Sequence, residues 1–429
     1  MPRFSIQEGY RITGEFEIPE GVSVIGRHPE ASLPLTKHPG VSREHCRIVN
    51  QAGVVTVEDL QSRNGTFLNG KPLDSMAELR HNDYLQIDNV LLLYSALDVM
   101  PSSRTDIIER AETTSKLSYV QEVGEKLRKN IVKVIQGKDE VVRLVVVALF
   151  SDGHVLLEDV PGVGKTKLAQ ALAKSVNTNF KRIQFTPDML PNDITGVNVF
   201  DESTGKFVFM PGPIFSNVVL ADEINRGTPR VQSALLECMS ESRITVDGSS
   251  YILHKPFFVI ATQNPVDFHG TYPLPEAQLD RFLMRLSLGY PDPESEKLVL
   301  ERQAMSNPLV SLSSVIESSD LLHCQSLVQK VHVSEAFRDY VVTLVNRTRE
   351  HEALAYGCST RASLALLRAS QAQAALEGRD HVLPRDARDL ALYVLPHRMQ
   401  LRVQARATWR STSAVLEEIL GQLPMSLWE

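Results

Sequence analysis

The sequence predicts a chain of several domains, with an all-β sandwich first, an α/β core next and an all-α domain last. Three observations predict this order. Short β-prone runs separated by turn residues fill about the first hundred positions. An apolar run around Leu156 then leads through glycines into a helix-forming segment. Beyond Pro293, apolar residues recur at spacings of three and four, which is the period of amphipathic helices.

The N-terminal β-prone runs alternate apolar and polar side chains, as at Cys46 and Ile48 or at Leu85 and Ile87. A period of two is typical of strands with one buried face. We therefore expect a β-sandwich over residues 1–98. The runs are 21–25, 45–49, 54–60, 66–68, 84–87 and 90–94.

The α/β core opens with a phosphate-binding loop, in which an apolar strand leads into Gly-Lys-Thr and a helix. Glycine lets the backbone approach phosphates, Lys165 can reach the β- and γ-phosphates, and the Thr166 hydroxyl can ligate Mg²⁺. Because the pattern has glycine where this chain has Asp159, that carboxylate is expected to oppose phosphate binding. The alternative is a glycine-rich turn that happens to precede a helix. The residues assigned to ATP are Gly137, Pro161, Gly162, Val163, Gly164, Lys165, Thr166 and Asp222, with Mg²⁺ at Thr166 and Asp222.

Two more apolar strands end in residues suited to phosphoryl transfer. The run 218–223 ends in Asp222 and Glu223, where the first acid can hold magnesium and the second can polarise water. The run 257–262 leads to Asn264, whose neutral amide can orient that water. Taken singly, an acidic pair can be a helix N-cap and an Asn before proline a turn residue. Three such strand ends in this order favour catalysis.

Longer strings resemble the MoxR branch of the AAA+ ATPases. The resemblance spans about residues 131–395 and implies an ATP-hydrolysing enzyme with a helical lid beside the nucleotide. The strings are Gly212-Pro213-Ile214-Phe215, Ala221-Asp222-Glu223-Ile224-Asn225-Arg226, Ala261-Thr262-Gln263-Asn264-Pro265 and Leu274-Pro275-Glu276-Ala277-Gln278-Leu279-Asp280-Arg281-Phe282.

The same resemblance assigns two arginines. Arg281 matches a finger that enters the neighbouring subunit's nucleotide, and Arg361 matches the second sensor in the lid. A finger acting in trans implies a homo-oligomeric ring, which we expect to be hexameric. The alternative for either arginine is a surface ion pair. Relatives act as chaperone-like remodellers of protein complexes, often with von Willebrand A-type partners, so the resemblance implies that kind of client.

Two insertions in the core are predicted to be β-hairpins. Residues 197–210 alternate around a turn near Ser203-Thr204-Gly205, and Asp247-Gly248 separates two short β-prone runs. In the MoxR resemblance, such hairpins face the ring centre or its mouth and contact the substrate. The alternative is decoration on a sheet edge.

Four strings lie between the β-prone runs of the N-terminal sandwich. They are Gly26-Arg27, Ser42-Arg43-Glu44-His45, Ser62-Arg63-Asn64-Gly65-Thr66 and Asn69-Gly70. Together they resemble the forkhead-associated (FHA) domain, which implies recognition of a phosphothreonine peptide. In that resemblance, Arg27 and Arg43 would donate charge-assisted hydrogen bonds and Ser42 a hydroxyl to the phosphate, and Arg63 and Asn64 would contact the peptide backbone. The alternative is a sandwich that has lost phosphate binding.

A polar linker is predicted over residues 99–116, followed by the core over 117–290 and the lid over 291–429. The composition of the linker suggests mobility. Thr113 and Thr114 in this linker are candidate phosphoacceptors, although an ordinary solvated linker is the favoured alternative. The basic run at residues 396–406 is interpreted as a solvated helix face.

The net charge of -7 and the pI near 6.0 argue against a nucleic-acid-binding protein. Four scattered cysteines predict buried, reduced thiols. No apolar run is long enough for a signal core or a membrane span, so we expect a cytoplasmic protein without membrane insertion. The main alternative function is a nucleotide-switched phosphopeptide-binding scaffold with little hydrolysis. A DNA-acting motor is disfavoured by the charge.

Overall fold

The computed structural model describes residues 2–8, 11–51, 54–69, 71–79, 83–88, 90–95, 104–203, 205–246, 248–264, 271–305 and 308–423. The chain divides into two compact units, residues 1–116 and 117–429. Side chains of residues 104–116 lie outside the described set, as do the predicted turn residues Thr204 and Asp247.

The first unit is a β-sandwich, as predicted. Its six-stranded sheet has the order β2-β1-β11-β10-β7-β8, and its five-stranded sheet has the order β4-β3-β5-β6-β9. The strands are β1 Arg3–Glu8, β2 Arg11–Glu17, β3 Gly21–Gly26, β4 Leu33–Pro34, β5 Cys46–Gln51, β6 Val54–Asp59, β7 Thr66–Leu68, β8 Lys71–Pro72, β9 Ala77–Glu78, β10 Tyr84–Ile87 and β11 Val90–Ser95.

The two sheets of the sandwich share one apolar core. Alternate residues of β5, Cys46 and Ile48, are fully buried, and so are Leu85 and Ile87 of β10. This is the period of two that the sequence shows, so the alternation determines which face of each strand is inward. Burial raises the pKa of the Cys46 thiol to about 12, which keeps it protonated.

The second unit opens with two helices and then forms a parallel sheet. Its five strands have the order β13-β16-β19-β12-β20, and every neighbouring pair is parallel. The elements up to the end of this sheet are α1 Arg104–Val132, α2 Asp139–Phe150, β12 Val155–Glu158, α3 Lys165–Ser175, β13 Phe180–Gln184, α4 Pro191–Thr195, β14 Gly196–Asp201, β15 Lys206–Pro211, β16 Val218–Asp222, α5 Pro229–Glu241, β17 Arg243–Val246, β18 Ser249–Ile252, β19 Phe258–Gln263, α6 Glu276–Leu279 and β20 Met284–Leu286.

The helix α1 begins at Arg104, inside the segment predicted to be a linker. Residues 104–116 are therefore helical where the polar composition suggested mobility. Thr113 and Thr114 lie within this helix, whereas a peptide bound to an FHA domain is expected to be extended. The phosphoacceptor hypothesis would thus require the helix to unwind at that point.

The chain ends in a helical region, as the spacing of apolar residues predicts. These elements are α7 Pro293–Met305, α8 Pro308–Ser311, α9 Ser318–Val328, α10 Glu335–Glu350, β21 Leu354–Tyr356, α11 Thr360–Leu376, α12 Pro384–Val394, β22 Gln400–Leu401 and α13 Thr412–Gly421. Helix α11 packs on α2, and α12 packs on β20, so one apolar core joins this region to the back of the sheet. All four cysteines of the chain are buried and unpaired. Among the described residues, no helix combines the length and apolar character needed to cross a bilayer.

Candidate functional site

The carboxyl ends of the parallel strands border a cavity of about 460 Å³. Ligands in open α/β sheets bind at this edge, where helix N-termini and strand ends meet. The described lining residues are Val134, Ile135, Gln136, Lys138, Pro161, Gly162, Val163, Gly164, Lys165, Thr166, Lys167, Arg182, Asp222, Glu223, Asn264, Pro291 and Val299. All the predicted phosphate-loop residues are among them. Gly137 is flanked by two lining residues but is not itself one of them.

Glycines shape the loop between β12 and α3. Gly162 and Gly164 have φ values of 89° and 97°, which residues with a Cβ rarely adopt. A Cβ at either position would meet open space, so the backbone conformation, not crowding, requires glycine. The loop thereby presents N–H groups and the start of α3 toward the cavity, which is the arrangement that binds phosphate.

Asp159 does not face the cavity as an opposing charge. Its carboxylate is 5% exposed and accepts hydrogen bonds from Ser287 Oγ at 2.7 Å, Leu288 N at 2.6 Å and Gly289 N at 3.0 Å. The expectation that this carboxylate opposes phosphate binding is therefore wrong, because three donors hold it against the segment after β20. Lys165 Nζ donates to the Asp159 carbonyl at 2.9 Å, which places the ammonium at the loop.

The acidic pair at the end of β16 is held by the neighbouring strand β19. The Thr262 hydroxyl donates to Asp222 Oδ1 at 2.6 Å and accepts from the Glu223 N–H at 2.9 Å. Glu223 has a φ of 56°, an uncommon value for a residue with a side chain. This backbone conformation turns the chain between Asp222 and Glu223, so the two carboxylates point in different directions. The two hydrogen bonds of Thr262 hold this turn in place.

Two residues of β13, which sequence reasoning missed, contact the acidic pair. Arg182 donates to Asp222 Oδ2, with its Nε at 3.0 Å, and Gln184 Nε2 donates to Glu223 Oε2 at 2.9 Å. Arg226 Nη1 also lies 3.0 Å from Glu223 Oε2. The register of β13 beside β16 pairs Gln184 with Asp222, so the parallel sheet order would have been the signal to find them.

The donor set fits Mg²⁺ and a nucleoside triphosphate. Hard cations prefer carboxylate and hydroxyl oxygens, and Thr166 and Asp222 both line the cavity. Asn264 lines it as well, and its carbonyl accepts from Asn225 Nδ2 at 3.4 Å. Apolar residues at the other end, Val134, Ile135 and Val299, form a surface suited to a nucleobase.

Arg281 and Arg361 do not line the cavity. Among the described residues, the Arg281 guanidinium forms no hydrogen bond or ion pair, so the surface-pair alternative has no support for Arg281. Arg361 does form such a pair: its side chain is 65% exposed, and its Nη1 lies 3.5 Å from Oδ2 of Asp280, the residue beside Arg281. Two residues of the predicted lid, Pro291 and Val299, line the cavity, which agrees with a lid beside the nucleotide; no described lining residue lies beyond Val299.

The basic run at residues 396–406 is a solvated face only in its second half: residues 402–404 and 406 are exposed, whereas residues 396–399 are buried. The side chain of Arg398 is 3% exposed and His397 is fully buried, and both contact the loop that carries Arg281. Burial, together with the Arg398 charge, holds the pKa of His397 well below its usual value of 6.5. Burial also lowers the pKa of Arg398, and Asp280 opposes that shift.

Three loops of the sandwich bring the predicted phosphothreonine contacts together. Arg27 N donates to Ser42 O at 2.8 Å, and Arg63 N donates to Ser42 Oγ at 3.0 Å. A Cβ on Gly26 would lie 2.1 Å from Arg43 O, so only glycine permits this approach. Because Ser42 Oγ accepts the Arg63 bond, its own proton is left to donate to an anion.

The same loops carry unpaired positive charge. In the described part of the sandwich, the guanidinium groups of Arg27, Arg43 and Arg63 form no ion pair and no hydrogen bond, while Asn64 Nδ2 donates to Gly40 O at 2.9 Å. His45 Nδ1 accepts from Ser42 N at 3.1 Å, and burial lowers the pKa of His45. The neutral imidazole therefore fixes the loop.

Both insertions form the predicted hairpins, β14–β15 and β17–β18. The first exposes apolar side chains on both faces, including Phe207 at 72%. Phe209 stacks on Tyr251 of the second hairpin with ring centroids 4.0 Å apart, and Phe215 packs edge-on against Phe209. The two hairpins are therefore joined. The exposed apolar residues of β14 and β15 are Val197, Val199, Phe200, Phe207, Val208 and Met210.

Comparisons with known proteins agree with this geometry. Residues 154–284 match the family described as ATPase family associated with various cellular activities (AAA), residues 346–419 match an AAA lid domain, and residues 23–88 match an FHA domain.

Relatives match the second unit at high identity. The chain is 50% identical over 292 residues to the uncharacterised protein YeaC of Bacillus subtilis, covering 68% of this chain and 91% of that protein. It is 41% identical over 297 residues to the chaperone MoxR1 of Mycobacterium tuberculosis, covering 67% of this chain and 78% of that protein. A crystal structure of a putative ATPase from Cytophaga hutchinsonii shares 40% identity with a TM-score of 0.69, covering 74% of this chain and 98% of that one.

Proposed function

The chain belongs to the MoxR group of the AAA ATPases, and we propose on that basis that it works as an ATP-driven ring that remodels protein complexes under phosphothreonine control. It is an ATPase with an FHA domain. One observation carries the proposal: the lysine, hydroxyl, carboxylates and amide proposed for ATP hydrolysis line one cavity, whereas the proposed finger Arg281 does not line it. A neighbouring subunit would supply the missing group.

The lining residues have separate roles in the proposed reaction. Thr166 and Asp222 would hold Mg²⁺, which offsets negative charge on the phosphates. Lys165 would leave the Asp159 carbonyl and bind the β- and γ-phosphates. Glu223 polarises a water that attacks the γ-phosphorus as ADP leaves, and Asn264 orients that water. Mg²⁺ would compete with Arg182 for Asp222 Oδ2, since Asp222 Oδ1 already accepts from the Thr262 hydroxyl.

Arg281 and Arg361, the proposed finger and second sensor, do not line the cavity of their own protomer. Arg361 contacts Asp280, which precedes Arg281 in the chain, so the two residues lie near each other. We therefore propose that both act on the nucleotide of the neighbouring protomer within a closed homo-oligomer, expected to be a hexameric ring.

The sandwich would recruit the ATPase to a phosphorylated protein. Arg27, Arg43 and Ser42 present two unpaired cations and a hydroxyl proton, which suits a phosphate dianion. Arg63 and Asn64 would contact the peptide beside the phosphothreonine. The exposed hairpin β14–β15 would contact the client, because its apolar side chains require a partner to leave water. By extension from relatives, we also propose a von Willebrand A-type protein as a partner of the ATPase.

The scaffold alternative loses its main support. It depended on an Asp159 carboxylate that weakens ATP binding, whereas this carboxylate is buried and bonded to residues after β20. The intact set of Glu223 and Asn264 in one cavity favours turnover.

The proposal is tested by steady-state ATP hydrolysis of the full chain across a concentration series, with molecular mass measured at each concentration. Glu223→Gln is the control that binds ATP without hydrolysis. We expect turnover per protomer to rise with assembly and to vanish in the control. Assembly with nucleotide bound but no turnover would overturn the enzymatic proposal. Equal turnover by monomers would overturn the trans assignment.

A further inference from the structure

The lid contacts the finger loop through buried groups that the reaction described above does not use. Arg398 Nη1 donates to Asp280 Oδ1 at 2.6 Å, and its Nη2 donates to the Phe282 carbonyl at 2.6 Å. His397 Nε2 lies 3.0 Å from the same carbonyl. The two residues that flank Arg281 are thus both bonded to Arg398, which is 118 positions distant from Asp280 in sequence.

The other oxygen of Asp280 is also occupied by the lid. Ser359 Oγ lies 3.3 Å and Arg361 Nη1 lies 3.5 Å from Asp280 Oδ2. Phe282 is fully buried in the core, so the loop is anchored on that side as well. Arg281 projects between these two fixed neighbours, and its own guanidinium is unpaired among the described residues.

We infer that Arg398 is a positioning residue for the finger Arg281 and ties the finger's orientation to the lid of the same protomer. The inference rests on the proposed function, in which Arg281 completes the neighbour's site. Arginine suits this task because its planar fork donates in two fixed directions at once, here to a carboxylate and to a carbonyl two residues later. Lysine keeps the charge but cannot reproduce both directions.

The arrangement links one protomer's lid to its neighbour's chemistry. A shift of the lid moves Arg398, and the loop from Asp280 to Phe282 follows because its bonds are buried. The finger in the next site then moves with the lid that carries it. Misplacement of a catalytic group by about 1 Å can lower turnover about a hundredfold.

The test compares Arg398→Lys with the matched control Arg402→Lys in the full chain. Arg402 belongs to the same basic run but donates to Leu354 O, within the lid. We expect Arg398→Lys to lower kcat about a hundredfold while ATP affinity changes less than about twofold. Arg402→Lys should keep kcat. Should Arg398→Lys fail to fold, Arg398→Gln replaces it, because it removes the two-directional guanidinium fork and leaves Asp280 and Arg361 in place.

Mixed rings distinguish positioning from a general structural role. Glu223→Gln subunits carry an intact finger, so mixing them with Arg398→Lys subunits places that finger beside an intact Glu223 in about a quarter of sites at equal ratio. We expect activity to recover as fully as it does for Arg281→Ala mixed with Glu223→Gln. We also expect Arg281→Ala/Arg398→Lys to be no slower than Arg281→Ala alone.

Three results would overturn the inference. Unchanged kcat in Arg398→Lys would show that the finger does not depend on it. Recovery in the Arg281→Ala mixture but not in the Arg398→Lys mixture would show a defect inside the variant's own site, while leaving the proposed trans finger intact. Failure of the Arg281→Ala mixture, with subunit exchange demonstrated, would remove the trans finger and this inference with it.

Discussion

Asp159→Gly restores the residue of the general phosphate-loop pattern, and we expect it to destabilise the protein without improving ATP binding. The substitution removes an acceptor from Leu288 N and Gly289 N, and from Ser287 Oγ. Ser287 is exposed, so its hydroxyl can hydrogen-bond to water instead. The loss of stability therefore comes from the two backbone N–H groups, which are left without an acceptor.

The magnitude follows from those two donors. A hydrogen bond to a charged acceptor contributes about 1.5–3 kcal/mol to stability, so their loss amounts to roughly 3–6 kcal/mol. Glycine adds up to about 1 kcal/mol of backbone entropy, whereas water entering the space left behind returns part of the loss. We expect roughly 3–5 kcal/mol for Asp159→Gly, and about half of that for Asp159→Asn, which keeps one oxygen.

The assay uses the two tryptophans of the chain, Trp409 and Trp428, which both belong to the second unit. Their fluorescence during urea unfolding reports on that unit, and a fluorescent ATP analogue gives the affinity of the native protein. A tenfold gain in ATP affinity by Asp159→Gly with unchanged stability would refute the reasoning, because it would mean that the carboxylate faces the phosphates.

Three further predictions concern the two sites. Glu223→Gln should lower turnover at least about a hundredfold while ATP still binds, as measured by phosphate release and equilibrium binding; a matching loss of affinity would contradict its role as base. Arg27→Ala should weaken binding of a phosphothreonine peptide about tenfold or more in fluorescence anisotropy, with no change for the unphosphorylated peptide, and retained affinity would place the phosphate elsewhere. Because burial lowers the pKa of His45 below 6.5, the imidazole's contribution to the stability of the first unit is complete above that pH and is lost as the pH falls below it. Calorimetry at about pH 7.5 and about pH 5.5 should show this loss, and His45→Asn should remove the dependence on pH.

Local patterns predicted most of the fold. Alternation gave the strands of the sandwich to within two residues at most ends, because one buried face sets a period of two. The first two strands, β1 and β2, were missed altogether. The two-residue strands β4, β8 and β9 were missed as well, since two residues carry no period. The helical start of α1 at Arg104 was also missed, because its polar composition resembles a linker.

Site residues could be predicted where they belong to a short sequence motif next to a strand. Lys165, Glu223 and Asn264 follow strand ends, and the structure brings them to one cavity. Arg182 and Gln184 could not be found in this way, because their contacts with the acidic pair depend on which strand lies beside β16. Likewise, nothing in the string around Arg398 indicates a partner 118 positions away.

The stacking of Phe209 on Tyr251, which joins the two hairpins, has a mechanical consequence. Hairpin β14–β15 lies directly before β16, which ends at the acidic pair, and hairpin β17–β18 lies before β19, which leads to Asn264. Those two strands are neighbours in the sheet. The contact between Phe209 and Tyr251 therefore couples the two hairpins mechanically, so that a force applied to either hairpin acts on both strands, β16 and β19, that lead to Glu223 and Asn264.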